Sequence, residues 1–124
     1  MPDYNVFPDY KTRKEIINEL CDRYKFIKHC FAGKSVCGRG IDVLHIGNTK
    51  NRVLYCGGFH GSDYLTILAL LKFFEECCEA MESDRTVGGC KIGNFLSIRG
   101  LTIVPCVNPD GTEIALHGSD AAFK

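Results

Sequence analysis

Val53-Leu54-Tyr55-Cys56-Gly57-Gly58-Phe59-His60-Gly61-Ser62-Asp63 is the stretch on which the reading of this chain turns. A short apolar run closes on a glycine pair, and a histidine and a carboxylate follow three residues apart. From Tyr64 to Cys78 the pattern becomes helical and apolar. Apolar run, turn and helix in that order form a β-α unit. His60 and Asp63 then sit at the carboxyl end of a sheet strand, where open α/β sheets bind their ligands. Zinc accepts both imidazole and carboxylate at open catalytic sites, so the segment reads as half a metal site. A local reading stands beside it: Ser62 or Asp63 caps the following helix, a favoured use of both residue types, and His60 is a turn residue.

Outward from this unit, the N-terminal side carries a helix over Thr12 to Tyr24, with Ile16, Ile17 and Leu20 as its apolar stripe. Thr12 and Glu15 have the form of a capping box, and residues 1–10 read as an irregular arm. Phe26–Ala32 and Ile41–Ile46 are β-prone runs joined through Gly33–Gly40, the pattern of a hairpin. Arg52–Gly57 is the third strand and Asp63–Cys78 the main helix. On the C-terminal side Ser83–Gly89 is a polar linker, Lys91–Ile98 a short helix and Leu101–Cys106 a fourth strand. The tight turn Asn108-Pro109-Asp110-Gly111 closes that strand. A helical crossover into the last strand predicts a mixed sheet in a single α/β domain spanning residues 1–124.

Composition removes several function classes. Lysine plus arginine equals aspartate plus glutamate at 15 each, so no net field draws the chain to nucleic acid or a membrane surface. No apolar run reaches the roughly 18 residues a membrane span requires. Met1-Pro2-Asp3-Tyr4 has neither a basic nor a long apolar region of the secretory kind, so a cytoplasmic location is the default expectation. The eight cysteines contain no CxxC pair and mostly fall in apolar periodic segments, which predicts reduced, structural thiols.

Three tempting features carry little. Gly33-Lys34-Ser35 lacks the glycine that a phosphate-binding loop needs five positions earlier, where Lys28 stands. His60-Gly61-Ser62-Asp63 recurs as His117-Gly118-Ser119-Asp120, but the flanks share nothing, so the repeat reads as coincidence. It leaves His117 as a residue to look for near the first copy. His29 and His45 lie in strand-like runs without a partner at metal-ligand spacing and read as structural.

Taken in order, Gly33-Lys34-Ser35 with Gly38-Arg39, then Gly58-Phe59-His60-Gly61, then Pro105-Cys106-Val107-Asn108-Pro109-Asp110-Gly111 resemble the opening of the zinc carboxypeptidases. The likeness is greatest to the bacterial branch that trims peptidoglycan stem peptides, including γ-D-glutamyl-diaminopimelate endopeptidases. It covers the chain from about Tyr10 to its end. The resemblance implies the N-terminal part of an α/β sandwich with a mixed twisted sheet flanked by helices. It also implies a zinc cofactor, a peptide substrate and hydrolysis by a zinc-activated water. His60 matches the first metal ligand of the family's HxxE motif, and Asp63 stands where the glutamate belongs, one methylene shorter. Ser62 occupies a position where many relatives carry an arginine.

The same resemblance implies elements with no match here: a third zinc ligand, a substrate-binding arginine, a tyrosine and a general-base glutamate. The expectation is therefore the N-terminal piece of a longer enzyme or a truncated product, with an incomplete zinc site and negligible peptidase activity of its own. The alternative is a non-catalytic remnant, a peptide-binding module that self-associates through an uncovered sheet edge.

Overall fold

The computed structural model of the chain describes residues 2–123. The arm is irregular in backbone but docked: the Tyr4 hydroxyl donates to Glu75 Oε2 at 3.1 Å. Burial, with the Glu75 carboxylate beside it, pushes the Tyr4 hydroxyl's pKa well up. Helix α1 (Tyr10–Arg23) begins two residues before the expected Thr12. The cap belongs to Asp9, whose carboxylate accepts from the Thr12 N–H at 2.8 Å. Thr12 is therefore a capped residue and not the cap, which corrects the capping-box reading. Ile16, Ile17 and Leu20 are buried as their spacing requires.

Strands β1 (Lys28–Lys34) and β2 (Gly40–Ile46) form the expected antiparallel hairpin, with Cys30 opposite Val43 and Lys34 opposite Gly40. Strand β3 (Arg52–Cys56) leads into helix α2 (Tyr64–Ser83), which runs five residues past Cys78 and stops at Asp84 in the left-handed region, φ 56°. The polar linker holds more order than its composition suggests. Thr86–Val87 (β4) pairs with Cys90–Lys91 (β5) across Gly88 and Gly89, at φ 57° and 81°. Two positive φ values are what a type I′ hairpin turn demands, and glycine supplies them without strain. Helix α3 (Ile92–Ile98) follows and feeds β6 (Gly100–Val104).

The sheet order is β1-β2-β6-β3, with β6 antiparallel to β2 and parallel to β3. This is the mixed α/β sheet expected from the helical crossover, here through α2 and α3. Strand β6 occupies an interior position and is buried along nearly its whole length, hence its mostly apolar, β-branched-rich Leu101-Thr102-Ile103-Val104, in which the one polar side chain, Thr102, is paired with His45. Ile17, Leu20, Leu44, Ile46, Ile67, Leu71, Phe74 and Ile103 are fully buried in one core joining α1, α2 and the sheet.

The Asn-Pro-Asp-Gly segment is not an isolated turn. It opens helix α4 (Pro109–His117), with Asn108 as N-cap accepting from the Gly111 N–H at 3.0 Å and Pro109 at the first helical position. A short 3-10 segment, Ser119–Phe123, follows. The thiols divide. Cys77, Cys78 and Cys106 are buried, and burial pushes the Cys77 thiol up to about 11. Cys30, Cys56 and Cys90 are exposed, the first two because β1 and β3 are the edges of the sheet.

Candidate functional site

The site is built where the parallel strands β3 and β6 end side by side. Gly57 continues the ladder, donating its N–H to the Val104 carbonyl at 3.0 Å. The two exit loops are then bonded to each other: the Val107 N–H donates to Gly57 O at 2.9 Å and the Asn108 N–H to Gly58 O at 3.0 Å. The Asn108 side-chain amide donates to Phe59 O at 3.1 Å. Asn108 thus caps α4 with its oxygen and holds the His60 loop with its nitrogen. Gly58 is at φ +65°. At Gly61, an added Cβ would lie 2.2 Å from the Gly111 carbonyl oxygen, so only glycine permits the approach of the loop to α4.

On this fixed loop the His60 Nδ1 and Asp63 Oδ2 lie 3.0 Å apart, both side chains open to solvent, His60 at 84% exposure and Asp63 at 36%. Asp63 occupies the N-cap position of α2 but makes no side-chain cap bond. Its carboxylate turns back instead, accepting from the His60 N–H at 3.1 Å. Thr66 does the local tying, its hydroxyl donating to Asp63 O at 2.7 Å. The helix-capping account of Asp63 therefore lacks the bond that defines it.

The hairpin motif joins through Asp110. Its Oδ1 accepts from Ser35 Oγ and Arg39 Nη1, each at 2.8 Å, and its Oδ2 from the Cys37 N–H at 3.1 Å. Arg39 also donates to the Ala121 and Ala122 carbonyls. Burial pushes the Asp110 carboxyl upward, but the bonds from Arg39, Ser35 and Cys37 outweigh it and hold the pKa below the usual carboxylate value. Gly33 and Lys34 thus end strand β1, and Ser35 opens the hairpin turn with its hydroxyl engaged by Asp110, so the segment is no phosphate-binding loop. Sequence reasoning treated Asn108 and Asp110 as turn formers only. Their membership in the ordered motif series was the one signal that they act together.

His117 is placed elsewhere. Its Nε2 lies 2.9 Å from Asp9 Oδ2 and 3.8 Å from Glu113 Oε2, so its ring is committed to α1 and its own helix. Those three residues are the one group among the described residues whose ligand atoms all lie within 4.8 Å of one another, and neither His60 nor Asp63 belongs to it. His45 is buried, with Nδ1 2.7 Å from Thr102 Oγ1 and Nε2 3.1 Å from Gly47 O. His29 pairs with Asp42 at 2.7 Å. Both fill structural roles.

As a donor set, Nδ1 and Oδ2 fit zinc. Tetrahedral coordination at 2.0–2.2 Å puts neighbouring ligand atoms about 3.3–3.6 Å apart, close to the 3.0 Å separation here. The shorter aspartate therefore still brings its oxygen to the imidazole. The side of the pair away from the loop is open to solvent.

The zinc carboxypeptidase family profile matches residues 14–122. The γ-D-glutamyl-L-diamino acid endopeptidase 1 of Lysinibacillus sphaericus is 29% identical over 113 residues, covering 91% of this chain and 28% of the relative. Carboxypeptidase E of Caenorhabditis elegans is 32% identical over 116 residues, covering 87% of this chain and 23% of the relative. The chain thus spans less than a third of the length of these relatives. Among solved structures, bovine thrombin-activatable fibrinolysis inhibitor, in complex with tick carboxypeptidase inhibitor, superposes with a TM-score of 0.76 at 18% identity over 95% of this chain and 36% of its own. Carboxypeptidase A of Helicoverpa armigera gives 0.72 at 22% identity over 98% of this chain and 29% of its own. The sheet order, the bonded motif series and the profile over residues 14–122 all lead to one assignment: this chain belongs to the zinc carboxypeptidase family.

Proposed function

We propose that the chain supplies the first metal-binding edge of a zinc peptidase, with His60 and Asp63 as its zinc ligands. The observation that carries this reading is the convergence of Nδ1 and Oδ2 at 3.0 Å on a solvent-open loop, at the end of β3, in a member of this family. Zinc bound there supplies Lewis acidity toward a peptide carbonyl and lowers the pKa of a bound water. The chain's own residues bind and orient. His60 and Asp63 hold the ligand atoms in place, Asn108 fixes the backbone beneath them, and Asp110 ties the hairpin to the same platform. The substrate class is peptides. The relative from Lysinibacillus points to stem peptides with a γ-D-glutamyl link to a diamino acid. The unpaired thiols support a reducing, cytoplasmic setting.

Catalytic zinc sites use three protein ligands, and this reading assigns two to the chain. The 124 residues alone therefore have negligible peptidase activity under this reading. Calorimetric zinc titration of the chain beside a His60→Ala variant tests it: one binding event is lost in the variant. A titration indifferent to His60 overturns the assignment, and zinc-dependent hydrolysis of a γ-D-glutamyl peptide by the pure chain overturns the statement about activity.

A second reading, self-association, is favoured by the edge strand β3, where Leu54 is 59% and Tyr55 47% exposed. The other edge, β1, is guarded by Lys28, Lys34 and an irregular register between Phe31 and Lys34, devices that discourage strand addition. Strand β3 has a single charge, Arg52 at its start, and a regular register.

A further inference from the structure

Two carboxylates and one imidazole converge at the junction of α1 and α4, apart from His60 and Asp63. Glu113 and His117 are four residues apart on α4, which stacks their side chains on one helical face. Asp9 comes from the N-cap of α1. Each carboxylate has one oxygen already committed to a backbone amide. Asp9 Oδ1 accepts from Thr12 N–H, and Glu113 Oε1 accepts from Tyr10 N–H. The other oxygen of each, Asp9 Oδ2 and Glu113 Oε2, faces His117 Nε2 at 2.9 and 3.8 Å.

These distances bracket the edge of about 3.3 Å that a tetrahedral site with 2.0–2.1 Å bonds imposes. Backbone amides on the far oxygens perform the orienting task that outer-shell partners perform at metal sites. Charge supplies a separate argument. A single ring nitrogen can offer one proton to one oxygen, and Glu113 Oε2 at 3.8 Å is beyond hydrogen-bond reach of it. The Tyr10 and Thr12 amides at the α1 N-terminus compensate these two carboxylates in part, one of them on a residue only 9% exposed, and a protonated imidazole adds charge enough for one. A divalent cation with a neutral imidazole neutralises both. Carboxylate oxygen with imidazole nitrogen suits zinc and its first-row neighbours. His117 is 49% exposed, which leaves a path for entry.

We propose that Asp9, Glu113 and His117 form a divalent transition-metal site of the zinc class that clips the start of α1 to the last turn of α4. Its role is structural, since all three residues belong to the scaffold around the His60 loop. Zinc alone is the probe, titrated by calorimetry into the 124-residue chain carrying His60→Ala and Asp63→Ala, which removes the site of the preceding section. The expected result is one zinc per chain in this background. Adding His117→Ala, or Asp9→Asn, which keeps the helix cap, weakens binding by more than about 10-fold, the least that loss of even an outer-shell partner costs. Glu113→Gln keeps the acceptor for the Tyr10 N–H and gives a second variant should His117→Ala fail to fold, as checked by circular dichroism without metal. No zinc in the background chain overturns the proposal, as does binding that survives all three substitutions, which would place the ion on thiols. Loss of zinc on His60→Ala alone speaks only to the peptidase site, so the two proposals fail separately.

Discussion

Replacing Asp110 by alanine tests whether the three motifs form one mechanical unit. Asp110 accepts three hydrogen bonds, from Ser35, Arg39 and the Cys37 amide, and all three donors lie in the β1–β2 hairpin, more than 70 residues away in sequence. The Arg39 and Asp110 side chains are 10% and 15% exposed, so water replaces the lost partner poorly. A hydrogen bond to a charged group contributes about 1.5–3 kcal/mol, and breaking a buried ion pair by removing one partner costs about 3–5 kcal/mol. Arg39 keeps the Ala121 and Ala122 carbonyls, which moderates the penalty. The expected loss is about 2–4 kcal/mol at pH 7, read by urea unfolding under circular dichroism. The pH dependence gives the same reasoning a second test. The folded pKa of Asp110 is depressed, so its contribution is fully present above the unfolded carboxyl value of about 3.9. It is lost as pH falls through the lower folded value. The difference between wild type and Asp110→Ala should therefore hold at pH 5 and shrink toward pH 2. A loss below about 1 kcal/mol at pH 7, or a difference unchanged at pH 2, refutes the latch.

The remaining predictions concern the loop beneath His60 and the open edge. Asn108→Ala removes both the α4 cap and the bond to Phe59 O, and should cost about 1–2 kcal/mol in thermal or urea unfolding. Asn108→Asp keeps the capping oxygen and should cost less. Gly61→Ala forces a Cβ against the Gly111 carbonyl, a backbone neighbour that cannot rotate away, so about 1–3 kcal/mol of stability should be lost. Zinc affinity attributed to His60 should fall with it, and wild-type values for both quantities would contradict the close approach. Leu54→Lys places a charge at the centre of β3 and should dissociate any oligomer seen by light scattering, with chelators having no effect. An oligomer that survives the substitution but dissolves in chelator would point to metal bridging instead.

Much of the sheet was legible because period and order survive in sequence. An apolar run before a glycine pair, then a helical pattern, then another apolar run, can form a parallel pair only through a crossover, and β3 and β6 do so. Features set by competition between equivalent local signals were not legible. Asp9 and Thr12 are both good caps, and Asp9 prevails because its carboxylate reaches the Thr12 amide while Pro8 precedes it outside the helix. Gly88-Gly89 carries the I′ signal for β4 and β5, but the strands are two residues each and offer no alternation to detect. The exposure of Cys30 and Cys56 follows from strand order, which no local window contains.

Asn-Pro-Asp-Gly shows why the candidate site was harder to read than the fold. The residues that close a turn are also those that open a helix: asparagine caps, proline fits the first position, and aspartate favours the first turn. Local chemistry cannot separate the two outcomes, and α4 is the one realised. The same short polar side chains then have atoms to spare after serving the backbone. The Asn108 amide nitrogen goes to the His60 loop, and both Asp110 oxygens go to the hairpin. Those long-range bonds give each motif a reason to be present with the other two. The glycines let the loops approach, Asn108 and Asp110 bond across the gap, and His60 with Asp63 is left facing solvent on a platform held from two sides. Any one motif alone reads as a turn. Their order along the chain carries the information because the fold brings them into contact, which is also why the resemblance could be recognised before any contact was known.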